Sequence, residues 1–294
     1  MLAGFDHRRV AANGIHIHAA IGGSGPPLLL LHGYPQTHVL WRHVAPRLAE
    51  HFTVVAPDLR GYGASDKPAA GADSSGYAKR TMAADMVELM AALEFQTFML
   101  AGHDRGGRVA YRLTLDHPER VLRLATLDIM PTLDTWEGLT GTRGLAAWHW
   151  YFLAQPSGVP EPMICADPDA FLGNLLRSWL GRKDAIEAEA FAAYAAAFRD
   201  PETIRATCDD YRAGATHDIA IDRADREAGR RIRCPLLVLW GEREGALADD
   251  RYVTVWQRWA DDVRGQPIPG GHFLPEEAPA ETTAALLAFF RQPT

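Results

Sequence analysis

The stretch Gly102-His103-Asp104-Arg105-Gly106 decides the fold. Residues 96–101 before it are apolar and predict a strand, and residues 107–113 after it predict a helix. Glycines two positions before and two after a central residue are typical of a sharp strand-turn-helix elbow, because larger side chains would collide there. The central residue is Asp104, a carboxylate that can attack carbon and form an ester, which water must then hydrolyse. The weaker alternative is that Asp104 only caps the following helix.

Composition bounds the class of protein. The 294 residues are 47% hydrophobic, enough for one large core or a core with an inserted cap. A net charge of -7 without a basic run disfavours nucleic acid as a partner. The three cysteines are widely spaced and match neither a zinc site nor a redox pair, and no apolar run approaches the length of a membrane span. We therefore expect a soluble, cytoplasmic protein that does not contact a membrane.

Strands and helices alternate along most of the chain. Strands are predicted as a pair within residues 8–20 and at 28–31, 52–56, 96–101, 121–127 and 234–240, and helices at 39–48, 82–93, 107–113, 250–259 and 278–290. This alternation predicts an α/β fold with a mostly parallel, doubly wound sheet. The alternation lapses in the helical, tryptophan-rich stretch 131–217, which predicts a helical cap inserted into a core made of residues 1–130 and 218–294.

A histidine is needed beside a carboxylate nucleophile to activate water. His272 lies on a loop after the last sheet segment, which predicts a position at the carboxyl edge of the sheet together with Asp104. His16 and His18 alternate on an N-terminal strand and are predicted to face solvent. His103 lies inside the elbow and is predicted to point away from the site.

The histidine in turn needs a carboxylate to orient it. Asp128 directly ends the strand that follows the elbow helix, whereas Glu242 and Glu244 follow the next strand on a loop. We favour Asp128, although Glu242 and Glu244 stay open as alternatives. Backbone N–H groups must also stabilise the charge that develops on the ester during hydrolysis. The amides of Tyr34 and Arg105 are predicted to form this oxyanion hole, with no metal or organic cofactor.

Four segments carry a resemblance to a known family. They are His32-Gly33-Tyr34-Pro35-Gln36-Thr37, residues 58–65 (Asp-Leu-Arg-Gly-Tyr-Gly-Ala-Ser), the elbow extended to Arg108, and Trp148-His149-Trp150. Together they resemble the haloacetate (fluoroacetate) dehalogenases of the α/β-hydrolase superfamily. The first two segments are shared with epoxide hydrolases and haloalkane dehalogenases, which usually carry Trp after the nucleophile where this chain has Arg105. The resemblance implies an α/β-hydrolase fold and the hydrolysis of haloacetates to glycolate and halide through an aspartyl ester.

The resemblance also implies which residues bind the substrate. Arg105 and Arg108 would hold a small halo-acid by its carboxylate, and their i, i+3 spacing puts both guanidiniums on one face at a helix N-terminus. His149, Trp150 and Tyr211 would surround the departing halide, since their N–H and O–H groups are hydrogen-bond donors. A homodimer is expected only by analogy with the family.

Two positions depart from the family pattern, and several rival functions stay open. Tyr34 stands where members often have Phe, and its hydroxyl could alter the polarity of the pocket. Ala147 stands where members often have an aromatic residue, and the missing ring predicts a wider pocket that admits larger 2-halo acids. An epoxide hydrolase would need two cap tyrosines and would leave the paired arginines unexplained. A haloalkane dehalogenase would have no use for a carboxylate-binding pair. A non-catalytic ligand receptor on the same fold is the rival of another class.

Overall fold

The computed structural model describes residues 2–242 and 251–292. Its eight strands are β1 (Asp6–Ala12), β2 (Ile15–Gly22), β3 (Pro27–Leu31), β4 (Thr53–Pro57), β5 (Phe98–His103), β6 (Val121–Leu127), β7 (Leu236–Glu242) and β8 (Val263–Pro269). They form one sheet in the order β1-β2-β4-β3-β5-β6-β7-β8. Strand β2 runs antiparallel to both of its neighbours, and the strands from β4 to β8 are parallel. The predicted mostly parallel sheet is confirmed.

Helices cover both faces of this sheet. They are α1 (Ala45–Leu48), α2 (Lys79–Ala92), α3 (Asp104–Asp116), α4 (Thr132–Gly138), α5 (Gly141–Ala146), α6 (Trp148–Leu153), α7 (Pro160–Cys165), α8 (Pro168–Trp179), α9 (Ala188–Phe198), α10 (Pro201–Ala215), α11 (His217–Glu227), α12 (Arg251–Trp256), α13 (Leu274–Glu277) and α14 (Pro279–Phe290). Short 3₁₀ helices lie at His38–Trp41 and Ser75–Tyr77.

Strand β3 shows why the sheet is covered twice. Successive side chains of a strand point to opposite faces, so an uninterrupted apolar run needs a helical layer on each side. Leu29 belongs to the core cluster that contains residues of α2 and α3, such as Val109. Leu30 belongs to a separate cluster that contains residues of α1 and α14, such as Leu286. The two clusters are the two packed layers of a doubly wound fold.

The predicted helix at 39–48 is wrong as a single element. The chain instead forms the 3₁₀ helix His38–Trp41, followed by α1. Pro46 lies in the first turn of α1. Its ring has no N–H and would clash with the preceding turn of a continuous helix, so a new helix begins there.

The helical stretch above the sheet runs from α4 to α11. The predicted cap, 131–217, begins one residue before α4 and ends at the first residue of α11, which continues to Glu227. Of the predicted helix at 250–259, the structure has α12, and Asp250 lies outside the described residues. Within residues 2–242 and 251–292, none of the helices combines the length and apolar character that a membrane crossing requires.

Candidate active site

The elbow places Asp104 where strand β5 turns into helix α3. Its φ of 47° lies in the left-handed region, which is strained for a residue with a side chain and is common at functional sites. The flanking glycines allow this turn. A Cβ on Gly102 would lie 2.5 Å from the carbonyl oxygen of Gly106, and one on Gly106 would lie 2.2 Å from the carbonyl oxygen of His32. Side chains at either position would force the strand and helix apart, so the sequence prediction of a glycine-dependent elbow has a steric cause.

Asp104, His272 and Asp128 lie in one row across the carboxyl edge of the sheet. The Asp104 Oδ2 is 3.8 Å from the His272 Nε2, and the His272 Nδ1 is 2.5 Å from the Asp128 Oδ2. The other Asp128 oxygen accepts a 3.0 Å hydrogen bond from the Gly241 amide. Because the Asp128 carboxylate accepts from Nδ1, the lone pair of a neutral His272 is on Nε2 and faces Asp104.

The backbone amide of Tyr34 binds the second oxygen of Asp104. This N–H donates to the Asp104 Oδ1 over 2.8 Å. The Arg105 amide is the second in helix α3, where an N–H has no acceptor within its own helix. Burial raises the pKa of Asp104, but the nearby His272, His103 and arginine charges outweigh burial and hold that pKa below its ordinary value. Asp104 is therefore an ionised carboxylate in a buried site.

The structure separates the acids that the sequence left open. Asp128 is in contact with His272, Glu242 is exposed at the end of β7, and Glu244 lies outside the described residues.

The prediction that His103 points away from the site is wrong. Its Nε2 lies 2.8 Å from the carbonyl oxygen of His272, and the two ring centroids are 4.7 Å apart. Burial lowers the pKa of His103 to about 4, so this neutral ring donates to the carbonyl and holds the His272 loop from behind.

Arg105 is completely buried and is held by Asp210. Its Nε and Nη2 lie 3.1 and 2.5 Å from the two Asp210 carboxylate oxygens, and Nη2 also donates to the Asp210 carbonyl over 2.8 Å. Asp210 also pairs with the Lys79 ammonium and accepts a 2.8 Å hydrogen bond from the Tyr62 hydroxyl. Burial favours the neutral carboxyl, but Arg105 and Lys79 hold the pKa of Asp210 well below its ordinary value. Arg105 thus has a partner that the sequence did not predict.

Arg108 is buried beside Arg105 but is held by neutral groups. Its Nη1 donates to the Met130 carbonyl over 3.0 Å and to the Thr132 hydroxyl over 3.2 Å, and Thr135 lies at 3.4–3.5 Å. Throughout residues 2–242 and 251–292, no carboxylate forms an ion pair with Arg108, and its Nε has no hydrogen-bond partner. Burial and the charge of Arg105 lower the pKa of Arg108. Its positive charge is therefore not matched by a directly bonded carboxylate among the described residues, and the nearby Asp104 acts on it only through space.

Trp150 connects the arginines to the cap. The Arg108 guanidinium lies 4.5 Å from the Trp150 ring centroid, and that of Arg105 lies 5.5 Å from the same ring and 4.2 Å from Tyr211. The ring of His149 lies 5.9 Å from that of Tyr211, which lies 5.6 Å from Trp150. The structure thus brings together all of the residues for which substrate and halide contacts were predicted.

Comparisons with known proteins agree with this architecture. Residues 26–279 match the family model described as alpha/beta hydrolase fold. The chain belongs to the alpha/beta hydrolase family. It is 44% identical to a fluoroacetate dehalogenase from Burkholderia sp, over 98% of this chain and 95% of that protein. It is 35% identical to a soluble epoxide hydrolase from Corynebacterium sp. (strain C12), over 97% of this chain and 96% of that protein.

Solved structures extend the likeness to three dimensions. The crystal structure of ALR0039 from Nostoc sp PCC 7120 superposes with a TM-score of 0.96 at 46% identity, and the match covers 100% of both chains. The predicted α/β-hydrolase fold is confirmed. The relatives include a fluoroacetate dehalogenase and a soluble epoxide hydrolase, so membership of the family is compatible with either substrate class.

One cavity of about 610 Å³ opens onto the row formed by Asp104, His272 and Asp128. Asp104, Asp128 and His272 line its floor, and its other walls include Arg108, Ala147, His149, Trp150 and Trp179. Arg105 and Tyr211 pack against these lining residues instead of forming the wall. Cavities of about 300–1,000 Å³ accommodate ligands considerably larger than a two-carbon acid.

Trp179 is a site residue that the sequence analysis missed. It ends helix α8, and its ring lies 4.5 Å from that of His149 and 5.5 Å from that of His272. Burial lowers the pKa of His149 to about 3, so this histidine is neutral at ordinary pH. Trp179 belongs to no spaced motif and is one of several tryptophans in the cap, so nothing in the sequence singles it out. Only the fold reveals its position between the two histidines.

Proposed function

We propose that this hydrolase converts haloacetates to glycolate and halide through an ester on Asp104. The observation that carries the proposal is Arg108, a buried guanidinium that lines the same cavity as Asp104 and has only neutral hydrogen-bond partners among the described residues. A substrate carboxylate would neutralise this charge through charge-assisted hydrogen bonds, which a neutral substrate cannot form. The identity of 44% to a fluoroacetate dehalogenase supports the same substrate class.

The first step forms the ester. Arg108 holds the substrate carboxylate from the cavity wall, with Arg105 behind it, and the Asp104 Oδ2, which is free of the Tyr34 amide, attacks the carbon that carries the halogen. The new carbon–oxygen bond forms as the carbon–halogen bond breaks, and the halide leaves with the bonding electron pair. His149, Trp150 and Tyr211 donate hydrogen bonds to the halide. Neutral His149 contributes one N–H, which suits a small, strongly solvated ion such as fluoride.

The second step hydrolyses the ester. His272 takes a proton from a water molecule, and the resulting hydroxide attacks the Asp104 Cγ. Asp128 stabilises the imidazolium that forms, while the amides of Tyr34 and Arg105 stabilise the negative charge on Oδ1. The intermediate collapses by breaking the bond between Cγ and Oδ2, and the leaving glycolate oxygen takes a proton from His272. The hydroxyl that the water left on Cγ releases its proton to solvent, which restores the Asp104 carboxylate. The water oxygen stays in the Asp104 carboxylate, and neither step needs a metal or an organic cofactor.

The cavity supports a wider substrate range than haloacetate alone. Ala147 lines it with a methyl group, so the space above the reacting carbon is larger than an aromatic residue would leave. We therefore include short 2-halo acids among the proposed substrates, with 2-chloropropionate as the first to test.

Epoxide hydrolysis is the second candidate. An epoxide hydrolase would use the same catalytic row of Asp104, His272 and Asp128, and Tyr211 could protonate an epoxide oxygen. An enzyme of that kind would use two cap tyrosines as acids. Here the ring in edge contact with Tyr211 is that of His149, which is neutral and whose pKa lies at about 3, and two guanidiniums lie beside the nucleophile. Both features favour an anionic substrate over an epoxide.

Product formation on a defined substrate panel tests the proposal. Fluoroacetate and chloroacetate should release halide, whereas 1-chlorobutane should not and styrene oxide should yield no diol. Turnover confined to the neutral compounds would exclude the proposed function. A second measurement tests the ester itself. His272→Asn should accumulate a species whose mass exceeds that of the protein by one carboxymethyl group esterified to Asp104, whereas His51→Asn, at an exposed histidine outside the site, should not.

A further inference from the structure

Three histidines outside the catalytic row converge at one edge of the sheet. His7 lies on β1, His18 on β2, and His38 begins the 3₁₀ helix that follows β3. Each offers a ring nitrogen, and these nitrogen atoms all lie within 4.8 Å of one another. The His7 Nδ1 and the His18 Nε2 are 3.1 Å apart. We refer to His7, His18 and His38 as the histidine cluster.

Asp58 orients two members of the histidine cluster from behind. One of its oxygens lies 3.0 Å from the His18 Nδ1, and the other lies 2.8 Å from the His38 Nδ1. The same carboxylate accepts hydrogen bonds from the backbone amides of His38 and Ala64 over 2.8 and 2.9 Å. Four hydrogen bonds therefore hold Asp58 in position. Because a carboxylate only accepts, both Nδ1 atoms carry their proton and both Nε2 atoms carry a lone pair. This arrangement is the outer shell that typically orients metal-binding histidines.

One of these lone pairs is buried and has no partner. His38 is 7% exposed, and its Nε2 has no hydrogen-bond partner in the part of the chain that the structure describes. A buried nitrogen acceptor without a hydrogen bond costs free energy, which a metal ion or a donor would recover. His18 was predicted to face solvent, but its side chain is only 14% exposed because Asp58 draws it inward.

We propose that the histidine cluster binds a divalent late transition-metal ion, with Zn²⁺ as the best fit. Three neutral imidazoles and one water molecule make a four-coordinate zinc site. With Zn–N bonds of about 2.0–2.1 Å in a tetrahedron, two ligand nitrogens lie roughly 3.3 Å apart. The separation of 3.1 Å already matches, and the exposed side chain of His7 is the one that can adjust for the longer separation.

The chemistry of the three ligands selects the kind of ion. Imidazole nitrogens suit zinc, copper and nickel, whereas magnesium and calcium prefer oxygen ligands. The bound ion would tie β1 and β2 to the loop that follows β3, far along the chain from Asp104.

Titration of the untagged protein with Zn²⁺ alone, in competition with a chromophoric chelator, tests the proposal. His7→Ala and His18→Ala should each weaken zinc binding at least about tenfold, by loss of a ligand. His16→Ala is the matched control, because His16 lies on the same strand but is bonded to Asp66 instead of the cluster, and it should bind zinc as the unchanged protein does. Circular dichroism confirms that each variant is folded.

The outcomes separate this site from the active site, whose histidines could also bind zinc. A single zinc equivalent that is lost when His7 and His18 are both replaced supports the proposal. Saturation that is unchanged in that double variant would place the ion elsewhere and overturn the proposal, as would the absence of saturable binding. A visible absorption band of tetrahedral Co²⁺ that is present in the unchanged protein and absent in His7→Ala would give the same answer independently of zinc affinity.

Discussion

Replacing Arg108 with methionine tests the substrate class most directly. The guanidinium is buried against Trp150, and its hydrogen bonds go to the neutral oxygens of Met130, Thr132 and Thr135. Methionine retains much of the apolar stem and removes the guanidinium with its charge and its hydrogen bonds. The groups left behind keep other partners, since Thr135 donates to the Met130 carbonyl over 3.3 Å. We therefore expect a change of no more than about 1–2 kcal/mol in the free energy of unfolding.

The effect on catalysis follows from the bond that is lost. A hydrogen bond to a charged group contributes about 1.5–3 kcal/mol, and about 1.4 kcal/mol corresponds to a factor of ten in rate or equilibrium. Arg108→Met should therefore lower kcat/KM for chloroacetate by about 10- to 150-fold. Because the substrate carboxylate is bound equally in the ground state and the transition state, most of the loss should appear in KM.

Steady-state chloride release from two substrates provides the assay. Chloroacetate carries the carboxylate, and chloroacetamide is a neutral analogue of similar size, so turnover of the amide by Arg108→Met should match that of the unchanged enzyme. Arg80→Met, which breaks an ion pair with Asp116 at the C-terminal end of α3, is the matched control and should leave both activities unchanged. Equal losses on the two substrates, or normal kinetics on chloroacetate, would refute the assignment of Arg108 to the substrate carboxylate.

Three further predictions concern single groups. The pKa of Asp104 lies below its ordinary value of about 3.9, so the carboxylate stays ionised as pH falls, and the burst of halide in the first turnover should be constant above about pH 5; a midpoint near neutrality would contradict this. The buried Tyr34 hydroxyl has no hydrogen-bond partner among the described residues, so Tyr34→Phe should stabilise the fold by about 1 kcal/mol, seen as a Tm about 2 °C higher, and a lower Tm would count against it. Asp210→Asn leaves the charges of Arg105 and Lys79 without their shared carboxylate and should destabilise the protein by about 3–5 kcal/mol in urea unfolding, whereas an unchanged urea midpoint would show that the pair is dispensable.

The elbow and the sheet could be predicted because their signals are local. A Cβ on Gly102 would meet the Gly106 carbonyl only four residues away, and the apolar run of β3 needs only its own length to indicate a buried strand. The break between the 3₁₀ helix His38–Trp41 and α1 also has a local cause, which is Pro46. The apolar pattern continues across Pro46, so it predicted one uninterrupted helix.

Contacts around the site could not be read in the same way. His103 was expected to point away, but its ring reaches the carbonyl of His272, which is 169 residues further along the chain. Trp179 lies between His149 and His272 only because the end of α8 packs over the loop that follows β8. No residue type or spacing within either segment indicates the other segment.

The sequence by itself determined that a carboxylate stands on a glycine-flanked elbow, that two arginines follow it on one helix face, and that alternating strands and helices build a doubly wound sheet. Local backbone sterics and hydrophobic periodicity are sufficient for each of these features. Only the tertiary structure decided that Asp128 orients His272, and that Arg105 is neutralised by Asp210 whereas Arg108 is not. These are contacts between side chains more than a hundred residues apart, whose distances are set by how the helices above the sheet pack against its edge.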